Sequence, residues 1–397
     1  MKIFVVNCGS SSIKYKVYDM TDESVLASGL VERVGSDEAV LTHEPAGGGR
    51  QTVPLGHADH NKAMRDVLAR LTDPDVGVLD SLEEIAGVGH RVVHAGERYS
   101  ESARIDQAVI DVIEDHFPLS PLHNPANLAG IRASIAAMPD TPQVAVFDTA
   151  FLATLPRTAW MYPVPMEWYE KHRVRRYGFH GTSHKYVTRQ AAALLDRPAD
   201  EVNLITCHLG NGASITAVAG GHAVDHSMGM TPLAGVMMGT RCGDLDPAII
   251  FYMLQEGFSA EQIDNALNKK AGILGVSGVS NDMRDLLAAC DSGNERAHLA
   301  LDMYVYRIAK YIGAYRAILP ALDAVVLTGG IGENSVPTRA ALCARLAGLG
   351  VILDGQANAA TTGGKTGRIT VDDSAMAIWV VPTNEELMIA RDTAELV

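Results

Sequence analysis

The chain has 397 residues, 47% hydrophobic and 20% charged, a normal composition for a soluble globular enzyme of two or three domains. Its net charge of −14 argues against a general nucleic-acid binder, whose footprint is basic, and requires any anionic substrate to meet locally placed Arg, Lys or metal. The longest apolar run, Ala248 to Leu254, is far short of a membrane span, and five scattered cysteines without a C-x-x-C pair fit a reduced, cytoplasmic setting.

The first predicted strand, Ile3–Val6, runs into Asn7-Cys8-Gly9-Ser10-Ser11-Ser12, and a second, Ile13–Tyr18, carries Lys14. A tight turn of Gly, Ser and Asn exposes backbone N–H groups and small hydroxyls in a concavity that suits phosphate oxygens. Lys14 would neutralise their charge; the other reading is an ordinary hairpin turn. Ala46–Arg50 reads as a loop tip. A helix over His60–Leu71, a strand over Gly87–His94, a helix over Pro125–Ala137 and a strand over Val144–Phe147 follow. Arg91 lies on the first of these strands. Asp148 ends the second, at the strand end where α/β sheets place their sites, or serves as a cap. The stretch WYEKHRVRRY, 168–177, reads as a solvated face.

In GFHGTSH, the glycines place His180 on an exposed turn. His180 and His184 have a metal-like spacing of four, but Gly181-Thr182 disfavours a helix there, so zinc is not expected. A helix over Lys185–Leu195 and a strand over Leu204–His208 lead to a second small-residue loop, His208-Leu209-Gly210-Asn211-Gly212, and a strand over Ser214–Val218. After helices at Ala248–Gln255 and Glu295–Ile318, the strand Ala324–Thr328 enters a third glycine loop ending at Asn334. It precedes a helix-like run whose N-terminus could face an anion.

This alternation is α/β. Two echoes suggest duplication around a central cleft: SSSIKYKVY (10–18) with GASITAVAG (212–220), and RVVHAGE (91–97) with VVLTGGI (325–331). Three glycine loops favour a nucleotide. The Walker pattern fails, because GGKT at 363–366 has Ala359 where the first glycine belongs. No G-x-G-x-x-G is complete, and protein-kinase signatures are missing.

VVNCGSSSIKYKVYD resembles the first phosphate hairpin of the acetate and sugar kinase, heat-shock chaperone and actin superfamily, and its Asn7 and GSSSIK resemble the acetate kinase branch. RYGFHGTSHKYV (176–187), HLGNGAS (208–214) and GGIGEN (329–334) are similar to that family's later signatures, in order across the chain. The resemblance implies a duplicated actin-like, ribonuclease H-like fold. Its first domain would span 1–150 with 386–397, and its second 151–385, bearing the interface of a homodimer. It implies closure over ATP and acetate, and reversible transfer of the γ-phosphoryl group to acetate.

A carboxylic acid is already ionised at neutral pH and needs no general base, unlike a sugar hydroxyl. The problem is to bring two anions together. By resemblance Arg91 and Arg241 bracket the carboxylate and the phosphoryl group, His180 stabilises the transition state, and Asp148 is catalytic; because the acceptor is already ionised, Asp148 is assigned to orienting Arg91 and a metal-bound water rather than to removing a proton. Val93, Leu122, Phe179 and Pro232 form the acyl pocket; Val93 implies a short one, favouring acetate over propionate. Ser10, Ser12, Lys14, His208, Leu209, Gly210, Asn211, Gly212, Asp282, Met283, Arg284, Gly330, Ile331, Gly332, Glu333 and Asn334 contact ATP or ADP, although Asp282 and Arg284 also suit a surface-helix cap. Asn7 and Glu385 hold Mg2+, with Mn2+ as a substitute; helix register leaves Glu386 as the alternative to Glu385. The rival activities are a propionate or butyrate kinase, a sugar kinase and a chaperone-type ATPase.

Overall fold

The computed structural model describes residues 1–397. The chain divides into two compact units, Met1–Ala153 with Asn384–Val397, and Thr154–Thr383.

The first unit contains β1 (Lys2–Cys8), β2 (Ser12–Asp19), β3 (Ser24–Glu32), β4 (Ala39–Pro45), β5 (Gln51–Gly56), β6 (Ile85–Val92), β7 (Ala103–Arg104) and β8 (Gln143–Phe147). They form one sheet in the order β5-β4-β3-β2-β1-β6-β8-β7. In β1, Ile3, Phe4, Val5 and Val6 are all buried, the signature of a central strand covered on both faces. In β2, Ile13, Tyr15 and Val17 point into the core while Lys14 is exposed and Lys16 partly so. The β1–β2 turn is closed by the Gly9 amide, which donates to the Ser12 carbonyl at 2.8 Å.

The second unit contains β9 (Leu204–Leu209), β10 (Ala213–Ala219), β11 (His222–His226), β12 (Ala324–Thr328), β13 (Gly367–Arg368) and β14 (Ile378–Val380). Their order is β11-β10-β9-β12-β14-β13. In both sheets the chain makes two antiparallel hairpin steps and then adds two parallel strands: β3-β2-β1-β6-β8 and β11-β10-β9-β12-β14. The duplication expected from the echoes is present. SSSIKYKVY and GASITAVAG form the topologically equivalent β2 and β10, and RVVHAGE and VVLTGGI meet the equivalent β6 and β12.

Three expectations change. Glu385 belongs to the first unit, because the C-terminal helix Glu385–Ala394 begins with it and is capped by Asn384, whose side chain accepts from the Leu387 amide. That helix lies against β6 at Gly87 and Gly89; a Cβ on Gly89 would come 2.7 Å from Ile389 Cγ2 and collide with Thr393 Oγ1. The helix read from Lys185 starts at Gly181. The third glycine loop is itself a short helix, Gly329–Asn334, directly after β12.

Candidate active site

In the first unit, Arg91 on β6 donates from Nη2 to Asp148 Oδ2 at 3.0 Å. Asp148 is 1% exposed just past β8, where its amide donates to the Val92 carbonyl at 2.8 Å. The Asp148 charge holds the Arg91 guanidinium above its ordinary pKa. The Glu385 carboxyl is pushed up to about 7, first by burial and then by the Asp148 charge, against the pull of Arg91. Glu386 is different: burial raises it, but the Lys14 hydrogen bond and the charges of Lys14 and Lys16 prevail and hold it below its ordinary value. The two adjacent glutamates therefore have separate environments, one facing the Arg91–Asp148 pair and one committed to lysines. Lys14, expected to face phosphate, is ion-paired with Glu386.

Val93 is buried, and its amide donates to Asn127 Oδ1 at 3.1 Å. The same side chain's Nδ2 donates to the Cys8 carbonyl at 2.7 Å. Asn127 thus ties the start of the Gly9–Ser12 hairpin, beside Asn7, Ser10 and Ser12, to the end of β6. One helical turn earlier, Asn124 holds His94 through its amide and carbonyl. Leu122 departs from the expected apolar wall: it sits on the turn before the helix Asn124–Ala137 and is 74% exposed.

In the second unit, Gly210–Gly212 form the β9–β10 turn, with the Gly210 amide donating to the Gly212 carbonyl at 3.0 Å. Arg241 and His180 converge on it. A Cβ on Gly212 would lie 3.5 Å from Arg241 Nη1 and 3.5 Å from His180 Cε1. Arg241 Nη1 also donates to the Pro232 carbonyl at 3.3 Å, which sets Pro232 beside the guanidinium. Burial lowers the Arg241 pKa. His180 has φ of 60° and precedes the helix Gly181–Leu194. Its Nδ1 bonds Ser214 Oγ at 2.9 Å, and its ring lies 4.3 Å from that of His208. Phe179 is buried and its amide donates to His226 Nε2 at 3.2 Å.

A cavity of about 570 Å³, within the range of small-molecule sites, opens beside this loop. Gly210, Asn211, Asp282, Met283, Arg284, Gly330, Ile331 and Asn334, all assigned to the nucleotide by resemblance, line it together with Asn281, Leu287, Ser335 and Pro337. Asp282 and Arg284 form a two-point ion pair at 3.0 and 2.6 Å, and Asp282 also caps the helix Met283–Asp291. Asp282 thus serves as the helix cap, and both residues also line the cavity. Leu209 is buried. Gly332 is buried too, and Glu333 is committed to its own loop: its Oε1 accepts from the amides of Gly329 and Thr383.

A fixed guanidinium on an ionised carboxylate, a second one over a glycine turn and a nucleotide-sized cavity, carried on a duplicated sheet, mark a phosphotransferase that acts on a carboxyl group. The chain belongs to the Acetokinase family, which it matches over residues 2–391. It is 54% identical to the acetate kinase of Halothermothrix orenii, with 100% of each chain covered, and 52% identical to that of Methanosarcina acetivorans, with 100% of this chain and 97% of the other covered. Crystal structures similar to it include Porphyromonas gingivalis acetate kinase (TM-score 0.95, 46% identity, 100% and 99% covered) and a Francisella tularensis propionate kinase (TM-score 0.92, 40% identity, 100% of both covered).

Asn127, Ser214 and His226 were missed by sequence reasoning. Their signal is a polar side chain inside an otherwise apolar, regular run: Asn124 and Asn127 one turn apart in NPANLAG, and Ser214 at the head of SITAVA.

Proposed function

We propose that the protein transfers the γ-phosphoryl group of ATP to acetate, giving acetyl phosphate and ADP, and catalyses the reverse. The observation that carries this reading is the Arg91–Asp148 pair. Asp148 is buried against a guanidinium, an arrangement suited to holding an arginine in place rather than to accepting a proton. That fits an acceptor that arrives ionised. Arg91 offers its fork to the acetate carboxylate, while Val93, Phe179 and Pro232 supply the apolar wall for its methyl group. Arg241 and His180 donate to the oxygens of the phosphoryl group in flight, where a fixed donor is worth most. The cavity beside Gly210 holds the nucleoside.

The residues fit Mg2+. Glu385 is a half-buried carboxyl in the field of the Asp148 charge, a place where a cation relieves repulsion, and Glu386 is taken by Lys14. No group of three or more His, Cys, Asp and Glu side chains forms a cage, as suits an ion held chiefly by substrate phosphates. Glu385 and Asn7 would hold it, through water. When bound, the ion neutralises charge on the β- and γ-phosphates.

We further infer a homodimer. The helix Ala248–Gln255 exposes Phe251 at 64% and Tyr252 at 59%, next to exposed Ile249, Leu254 and Phe258, a patch of the kind a partner covers. No helix is long and apolar enough to cross a membrane, and all five cysteines are free, which supports a cytoplasmic setting.

The test is hydroxylamine trapping with ATP and a series of acids. We expect acetyl hydroxamate and acid-dependent ADP release. Acid-independent ATP hydrolysis, or a preference for a four-carbon acid, overturns the proposal.

A further inference from the structure

Behind His180 lies a line of buried hydrogen bonds. His180 Nδ1 meets Ser214 Oγ at 2.9 Å. The same hydroxyl meets His184 Nε2 at 2.8 Å. His184 Nδ1 meets Thr206 Oγ1 at 2.7 Å. Ser214, His184 and Thr206 are each 0% exposed.

Each link has a donor and an acceptor, so the line can run in two directions. A neutral imidazole has one N–H and one bare nitrogen, and a hydroxyl has one proton to give. Burial, followed by the neighbouring His226, His208 and His180, keeps His184 neutral, so it must donate at one end and accept at the other. If His180 donates from Nδ1, either Ser214 donates on to His184 Nε2 and His184 to Thr206, which leaves the Thr206 proton over, or His184 Nε2–H also donates to Ser214, which leaves the Ser214 proton over. An unused buried donor costs more than an unused lone pair. In the other direction nothing is stranded. Thr206 donates to His184 Nδ1, His184 Nε2–H donates to Ser214, and Ser214 donates to His180 Nδ1.

We propose that Thr206, His184 and Ser214 form a directional relay that fixes His180 in its Nε2–H form, making them positioning residues for the phosphoryl donor. This rests on the role given to His180 under the proposed function and adds what sets its proton. The surrounding rings fit the same scheme. The Phe179 amide donates to His226 Nε2, so that neutral imidazole gives its Nδ1–H to Thr216 Oγ1 at 2.8 Å and contributes no proton to the line. His208 Nδ1 is engaged by Ser183 Oγ at 2.8 Å.

The experiment is two-dimensional NMR of the full chain labelled with 15N-histidine, His180 being assigned by its loss in His180→Asn. The expected result is protonated Nε2 and bare Nδ1 in the wild type. In Ser214→Ala, a mixture of tautomers is expected, with kcat down on the order of 10-fold, the worth of one hydrogen bond, and KM little changed. Ser214→Thr, which keeps the hydroxyl, restores the Nε2–H form. Thr206→Val, nearly the same shape, shifts the His180 tautomer although Thr206 does not bond His180; a purely structural role would not transmit this. A protonated Nδ1 in the wild type, or a tautomer unmoved in both Ser214→Ala and Thr206→Val, overturns the relay. Full activity in His180→Asn would instead overturn the role of His180 and leave the tautomer result standing.

Discussion

Glu385 links site chemistry to stability. Its carboxyl has a pKa raised to about 7 in the folded chain from an ordinary 4.5, so the folded state binds a proton that the unfolded state releases. The stability from this group is full below the unfolded value and is lost as pH rises through about 7. The ligand-free protein should therefore melt lower at pH 8 than at pH 5.5, and Glu385→Gln should flatten that slope in thermal scans. A slope unchanged in the variant would mean that another group carries it. For the arginines, Arg91→Ala and Arg241→Ala should each lower kcat/KM on the order of 10²–10³-fold, with Lys a poor replacement because it lacks the planar fork. Propionate should react roughly 10–200-fold less well than acetate, the worth of one methylene; equal rates would show that Val93 does not limit the pocket. Arg91, Asp148 and Arg241 are named through the family resemblance, while the pairing of Arg91 with Asp148, 57 residues apart, has no local mark in the sequence. The pairing of Lys14 was not legible either, because Glu386 lies 372 residues away and no local pattern announces it. Leu122 shows the converse: an apolar residue assigned to the pocket by resemblance sits exposed on its turn.

Elements were readable where their ends were chemically marked. His60–Leu71 and Glu295–Ile318 have the expected limits, and Asp59 and Asn294 cap them by accepting from the Lys62 and Ala297 amides. The helix from Gly181 was misread because Gly-Thr-Ser is a poor opening by propensity. Its first turn is held instead by burial of Gly181, Thr182, Ser183 and His184. The strands β3 to β5 went unread, since β3 and β5 carry few fully buried side chains and their alternation is faint. Two substitutions probe elements. Gly89→Ala should cost about 1–3 kcal/mol by overpacking the C-terminal helix against β6, seen as a lower midpoint in urea. Phe251→Asp on the exposed apolar helix should convert dimer to monomer in sedimentation; an unchanged mass would move the interface elsewhere.

At the scale of the molecule, the two echoes were short enough to arise by chance, yet they sit at equivalent strands of two sheets with one order. Topology preserves what sequence has nearly lost, because a one-residue slip in a buried strand reverses its faces. The cavity beside Gly210, where the nucleoside is proposed to bind, is lined wholly from the second unit. ADP with Mg2+ should therefore slow hydrogen exchange around Asn211, Asp282 and Gly330 before it affects β3 to β5; uniform protection would contradict that placement.

The first unit takes its closing helix from residues 385–394, after the whole of the second has been made. A chain that stops at residue 383 has every residue of the second unit but lacks Ile389 and Thr393, which settle over Gly89 in the first. A released chain truncated after residue 383 should thus carry a protease-resistant second half and a cleavable first.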